Sequence, residues 1–267
     1  MKEATVTAHS TVQIGELELG SGRTAVIVPL TGATEAQLLD QAQSAGEHRL
    51  AGRIDLIEWR VDLLHDNSRS PEQLIELAAR VRSEAGDRPL LATVRTRAEG
   101  GSADVDDSQY LGLVRALSSS PAVDAVDVEH RRTTAASAVQ AAQSAGTTAI
   151  ASHHDFQSTP PAEQLLDHLH AMAQTGAEIL KMAVMPRSPQ DVLTLLDTTL
   201  HGSHELRQPL ITMSMGPLGV ASRLSGGLFG SAATFASLGE VSAPGQLPLE
   251  TVIAVLDAQR PQQEDPR

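Results

Sequence analysis

The segment Ala177-Glu178-Ile179-Leu180-Lys181-Met182-Ala183-Val184-Met185 reads as a short buried strand carrying one cation. Burying an ammonium is costly unless it is paired or neutralised. Of the 20 Lys and Arg residues only two are lysines, Lys2 and Lys181. Arginine thus serves wherever a positive charge suffices, and lysine is kept for an internal position. A desolvated amine can shed its proton and attack a carbonyl, which a guanidinium cannot do. A salt-bridged structural lysine at a strand end is the other reading. Further groups stand near predicted strand ends: Glu58 and Arg60, Arg95 with Glu99 four residues on, Asp127 and Glu129, and the adjacent pair His153-His154. Histidine titrates close to neutrality and suits proton transfer.

Regular elements must bring these residues together. Residues 1–23 form an arm with β character, in which Thr11–Ile14 and Glu16–Leu19 flank Gly15 and suggest a short hairpin packed on the body. Strands are expected at Thr24–Leu30, Ile54–Arg60, Pro89–Val94, Val123–Glu129, Thr147–Ser152, Glu178–Val184, Pro209–Ser214 and Ala232–Leu238. Helical spacing follows at Ala33–Ala45 with Gly46 as C-cap, from Ser70-Pro71 to Gly86, and at Asp107–Leu117, Thr133–Ala145 and Pro161–Gln174. It returns from Ser188-Pro189 to about Leu200 and at Pro248–Ala258, whereas Leu218–Phe229 is glycine-rich and only partly helical. Residues 259–267 read as a polar tail. Eight β-α units without linkers predict an α/β fold, a (β/α)8 TIM barrel spanning 24–258 with an N-terminal hairpin. A doubly wound open sheet is the alternative, but Pro29-Leu30-Thr31-Gly32 does not match the glycine-rich phosphate turn of that fold.

In a barrel, alternate strand residues point inward and chemistry gathers at the strand C-termini. Period two then turns inward Glu58 and Arg60, Thr93 and Arg95, Asp127 and Glu129, Ser152 and His154, Lys181, Met213 and Met215, and Phe235. His153 points away. Singly, each has a structural explanation: rim salt bridges, layer-stitching arginines, methionine as core filler. Together they would cost heavily in desolvation unless they served a polar ligand, so the joint reading is an active site. Gly100-Gly101 allow a tight turn that folds Glu99 back over the rim. Arg223 and the stretch Ser242-Ala243-Pro244-Gly245-Gln246 follow the last two strands, where barrels often hold an anion.

Composition limits the alternatives. The chain of 267 residues has no cysteine, which excludes disulfides, thiolate metal sites and cysteine nucleophiles. A formal net charge of −13 argues against a nucleic-acid surface, and 2% aromatics argue against stacking platforms. No apolar run reaches transmembrane length, and residues 1–23 lack a basic-then-apolar signal pattern, so a cytoplasmic protein without membrane partners is expected.

The ordered motifs Glu58-Trp59-Arg60-Val61-Asp62, Thr93-Val94-Arg95 with Glu99-Gly100-Gly101, Ser152-His153-His154-Asp155-Phe156, Leu180-Lys181-Met182-Ala183, Met213-Ser214-Met215-Gly216, Ser222-Arg223 and Ser242-Ala243-Pro244-Gly245-Gln246 resemble the type I 3-dehydroquinate dehydratases. The resemblance runs from about Val26 to Ala258. It implies a Schiff-base lyase of the shikimate pathway and of aromatic amino acid biosynthesis. That lyase would convert 3-dehydroquinate to 3-dehydroshikimate, without metal or organic cofactor, as a homodimer. It implies Lys181 as the imine-forming amine, His154 as general base and acid, and Glu99 as its assistant. Glu58, Arg60 and Arg95 would hold ring hydroxyls. Arg223, Ser242 and Gln246 would bind the carboxylate end, and Met213, Met215 and Phe235 would pack on the ring. Where some family members carry a serine ligand, this chain has Pro29. A class I aldolase and a non-catalytic ligand-binding barrel are the rivals. The His154 and Gln246 motifs argue against the first. The retention of both Lys181 and His154 argues against the second.

Overall fold

The computed structural model describes residues 11–65, 69–239 and 245–259. Two three-residue strands, β1 Val12–Ile14 and β2 Leu17–Leu19, form an antiparallel hairpin through Gly15. The remaining strands all pair in parallel. They are β3 Ala25–Leu30, β4 Leu56–Arg60, β5 Leu90–Thr93, β6 Ala125–Glu129, β7 Thr148–Asp155, β8 Ile179–Val184, β9 Leu210–Ser214, β10 Ala233–Ser237 and the two-residue β11 Leu247–Pro248. Their hydrogen-bonded order is β11-β10-β3-β4-β5-β6-β7-β8-β9. The sheet curls until its ends meet, with Leu210 bridging Ser231 and the Ala232 N–H donating to the Leu210 carbonyl at 2.6 Å. The result is an eight-stranded barrel of β3 to β10.

Helices α1 Glu35–Glu47, α2 Pro71–Glu84, α3 Asp107–Ser118, α4 Ala135–Ser144, α5 Ala162–Gln174, α6 Pro189–Glu205, α7 Val220–Ser225 and α8 Leu249–Ala258 follow the barrel strands in turn. Four of them start with a complete capping box: Thr34 with Gln37, Ser70 with Gln73, Asp106 with Gln109 and Ser188 with Asp191. Each box satisfies two orphan N–H groups at once and fixes where the preceding loop ends. Those loops form the C-terminal rim of the barrel. Pro71 and Pro189 occupy the first helical turn, where a missing N–H costs nothing.

Alternation divides the apolar residues into two cores. Outward residues such as Trp59, Ala92, Val126, Ala151 and Met182 pack beneath the helices. Inward residues Ile27, Leu56, Leu91, Ala125, Ile150, Ile179 and Ile211 fill the barrel, and Ile14, Leu17 and Leu19 of the hairpin join them at its N-terminal end. The hairpin is therefore the floor of the barrel, in contact with its interior layer.

Several boundaries differ from the sequence expectation by two residues or more, and three of them have a clear cause. β7 continues to Asp155, beyond Ser152, because its ladder with β8 persists to Asp155 opposite Val184. α6 runs to Glu205, past Leu200, because Thr198, Thr199, Gly202 and Ser203 bury a further turn of the helix. Gly46 does not cap α1; the helix passes through it to Glu47. A Cβ at Gly46 would lie 2.5 Å from the Glu84 carbonyl at the end of α2, so glycine is required there by close helix approach.

Candidate active site

Above the apolar fill of the barrel lies a charged layer, and β8 contributes its cation. Lys181 is 4% exposed, and its Nζ lies 3.1 Å from Glu58 Oε1 and 3.1 Å from Asp127 Oδ2. The Phe235 ring covers it, with Nζ 4.9 Å from the centroid. The carboxylates are held in turn. Thr93 Oγ1 donates to Glu58 at 2.9 Å, and Ser152 Oγ donates to Asp127 at 2.6 Å. Strand register makes this possible, since Thr93 stands opposite Asp127 and Ser152 opposite Lys181.

Arg95 organises the next layer. Its guanidinium lies 2.7 Å from Asp127, 3.1 Å from Glu129 and 3.3 Å from Glu99. Glu129 also accepts from the Thr96 N–H and hydroxyl, which pins the loop after β5. Burial pushes the Asp127 carboxyl up, but Arg95 and Lys181 outweigh it and hold it at about 2. Asp127 is thus a fixed anion between two cations. Arg60 forms a two-pronged pair with Asp62, at 2.8 and 2.9 Å, and Asp62 also accepts from the Ser102 N–H.

The loop after β5 turns back through a single 3-10 turn, Arg97–Glu99, and Gly100 at φ 78°. A Cβ at Gly100 would strike the Phe156 ring at 2.3 Å, and one at Gly101 would lie 2.1 Å from the Arg95 carbonyl. Only glycines permit this return, and it brings Glu99 Oε2 to 2.9 Å from His154 Nδ1. Burial, followed by Glu129 and Asp127, pushes the Glu99 carboxyl up to about 8 against the pull of Arg95. Burial and then the cations Arg95, Lys181 and Arg60 push His154 well below its ordinary value. Both shifts have the same root, a dry chamber that penalises each charged form.

His153, on the same strand, faces the opposite way. Its ring stacks on His168 of α5 at 4.1 Å and meets His130, just past β6, edge-on at 5.4 Å. Burial, with His168 adding to it, lowers His153 to about 3 and His130 to about 4.

A cavity of about 200 Å³ opens over this layer. Its lining contains Lys181, His154, Glu99, Glu58, Arg60, Arg95, Met213, Met215, Arg223, Phe235 and Gln246. Ser242, the remaining residue expected there, lies outside the described residues. Burial lowers Arg223 to about 10, which leaves it a cation at neutral pH, and its Nη1 lies 3.6 Å from Met213 Sδ. Pro29 is buried within β3 beside Glu58. Thr93, Gly100 and Phe156 also line the cavity. Alternation had turned Thr93 and Asp127 inward without indicating which groups they touch. Phe156 follows β7 and continues the alternation of Ser152 and His154 by one step, beyond the strand end expected at Ser152.

A family model for type I 3-dehydroquinase matches residues 26–262. The chain belongs to the type I 3-dehydroquinase family. Type I 3-dehydroquinases are lyases, and relatives of this chain are named 3-dehydroquinate dehydratase. The 3-dehydroquinate dehydratase of Lactiplantibacillus plantarum is 41% identical over 256 residues, which cover 95% of this chain and 97% of that protein. The solved 3-dehydroquinate dehydratase of Geobacillus kaustophilus superposes with a TM-score of 0.87 at 35% identity, covering 93% of this chain and 96% of its own. The type I 3-dehydroquinate dehydratase of Clostridium difficile, solved with covalently modified comenic acid, gives 0.86 at 34%, covering 94% and 98%. These matches show a type I 3-dehydroquinase barrel over nearly the whole chain. No helix among the described residues is long and apolar enough to cross a membrane.

Proposed function

We propose that this barrel dehydrates 3-dehydroquinate to 3-dehydroshikimate through a Schiff base on Lys181, in the shikimate pathway leading to aromatic amino acids. The observation that carries the reading is a buried lysine amine facing a polar cavity that it shares with His154. The covalent ligand in the Clostridium difficile relative adds support.

The steps balance as follows. The Lys181 ammonium gives up a proton to solvent in the cavity, the free amine adds to the substrate ketone, and the adduct takes a proton back on its oxygen and loses water to leave an iminium. His154 removes a proton from the carbon beside it, and the bonding electrons move into the iminium to give an enamine. The enamine then expels the β-hydroxyl, whose oxygen takes a proton from His154, and the iminium re-forms. Water hydrolyses that iminium, releasing the enone product and the amine. A ketone alone is a poor electron sink at neutral pH; the iminium supplies a better one. Glu58 and Asp127 flank the amine and compensate its positive charge before and after the iminium forms. Arg60 and Arg95 present donors to ring hydroxyls, and Met213, Met215 and Phe235 supply the apolar wall. Borohydride reduction in the presence of 3-dehydroquinate, followed by peptide mass mapping, should place one adduct on Lys181. An adduct on Lys2, or none at all, would overturn the reading. The resemblance also implies a homodimer in the cytoplasm, and light scattering would measure the first.

The carboxylate end of the substrate is assigned to Arg223, with Gln246 and Ser242 beside it. A charge-assisted bond from a buried guanidinium outweighs a neutral one. Arg223→Ala should raise KM by roughly one to two orders of magnitude, and Arg223→Lys should recover part of that loss because one ammonium cannot reproduce the planar fork. Unchanged KM in Arg223→Ala would move the carboxylate to Arg60 or Arg95.

His154 and Glu99 act as one titrating unit. The base-competent form carries its proton on Nδ1, facing the Glu99 carboxylate, and leaves Nε2 free. Below the Glu99 value of about 8 the pair holds one proton more and the base is blocked. Activity expressed as kcat/KM should therefore rise with pH along this limb. Glu99→Gln removes the group that takes up the proton and leaves His154, whose own value is low. The limb should move to lower pH in that variant, at reduced maximal rate. A limb that stays in place would remove Glu99 from the proton-transfer unit.

A further inference from the structure

On the far side of β7 from the cavity, three histidines from three elements meet. His130 follows β6, His153 lies on β7 and His168 lies on α5. One ring nitrogen from each can be chosen so that all three lie within 4.8 Å of one another. His130 is fixed against β7 because its N–H donates to the Ser152 carbonyl at 3.0 Å. His130 Nε2 and His153 Nδ1 are buried without a hydrogen-bond partner among the described residues. Packing alone explains such a cluster poorly. Layers between helix and sheet are filled by apolar side chains elsewhere in this barrel, and orphaned ring nitrogens carry a desolvation cost that apolar groups do not.

We infer that His130, His153 and His168 form a binding site for a transition-metal ion of the zinc type, outside the catalytic chamber. Imidazole nitrogen suits zinc, nickel and copper, and three such ligands leave a fourth position for water. The ligands must be neutral, and the crowding that depresses His130 and His153 also lowers His168, chiefly by burial and then by Arg131. Arg131 opposes a bound cation. Asp155 and Asp167 act in the other direction on His168, and Asp155 is held in place by the N–H groups of Gln157 and Ser158. Metal–nitrogen bonds of about 2 Å need the donors closer together than they stand. The His153 and His168 rings, now stacked at 20°, would open about their side-chain bonds as the ion enters. The ion would then pin α5 to the wall of β6 and β7, behind the strand that carries His154. This role is separate from the lyase steps, although His153 Nδ1 stands 3.9 Å from Glu99 Oε1 and an ion there would face that carboxyl group.

The test is calorimetric titration of the chelator-washed full chain with zinc chloride, alongside thermal melting with and without zinc. Wild type should bind one ion per chain and melt at higher temperature in its presence. His130→Ala and His168→Ala should each weaken binding by at least the roughly 10–100-fold that losing an outer contact to a metal ligand costs, and should lose the zinc-dependent melting shift. His168→Ala should keep its zinc-free melting point and its turnover, which shows that it is folded. His201→Ala, on an exposed histidine of α6, should bind like wild type. The chain has no cysteine to compete for the ion. Absence of binding in wild type, full binding in His130→Ala and His168→Ala, or loss confined to His154→Ala would each overturn the assignment.

Discussion

Lys181→Arg is expected to fold and to have no measurable dehydratase turnover. The substitution keeps a positive charge between Glu58 and Asp127, so the buried carboxylates retain a partner. Among the described residues that line the cavity it removes the one amine able to condense with a ketone, because a guanidinium stays protonated. Lys181→Ala should be equally inactive and less stable. It leaves two buried carboxylates without their shared cation, a change of the kind that costs about 3–5 kcal/mol. Steady-state assay and thermal melting on the two variants separate chemistry from folding. If either variant kept activity within about tenfold of wild type, roughly 1.4 kcal/mol of barrier, the imine could not lie on the reaction path.

His154→Ala is expected to lower kcat by two or more orders of magnitude, the usual range of about 10²–10⁴ for a positioned acid–base group. His153→Ala should cost no more than about a tenth of that effect, although the residues are adjacent. Only His154 faces the cavity and bonds Glu99 at 2.9 Å. His153 faces α5, and its Nδ1 stands 3.9 Å from the other Glu99 oxygen, so its influence passes through Glu99 at second hand. Single-turnover measurement of imine formation would sharpen the contrast, because His154→Ala should still form the adduct. Equal losses in the two variants would mean that the two side chains share the work.

Most of the fold was legible because its rules are local. Period-two alternation, capping sequences such as Ser70-x-x-Gln73, and Pro71 and Pro189 at the starts of helices each act over a few residues. The inward set at the rim followed from the same alternation. What escaped depends on register between strands or on contact between distant elements. Nothing within β6 reveals that Asp127 reaches Lys181; that follows from how β5, β6, β7 and β8 are staggered. Gly46 looks like a helix stop in sequence, and the Glu84 carbonyl that explains it lies on another helix. The meeting of His130, His153 and His168 is of the same kind, since each reads alone as an ordinary polar residue. Ser242 belongs to a loop outside the described residues.

The hairpin floor has a consequence for traffic. With Ile14, Leu17 and Leu19 seated against the interior layer, the described residues fill the N-terminal end of the barrel, and the cavity lies at the other end. In the proposed cycle one water leaves as the imine forms, one leaves in the elimination, and one must return to free the product. All three would pass the opening that the substrate entered, while the bond to Lys181 on β8 would keep the ring inside. In that cycle the last water would have to slip past a tethered ring before anything could depart, so Arg223 and Gln246, which line the cavity, would meet solvent as well as the organic acid.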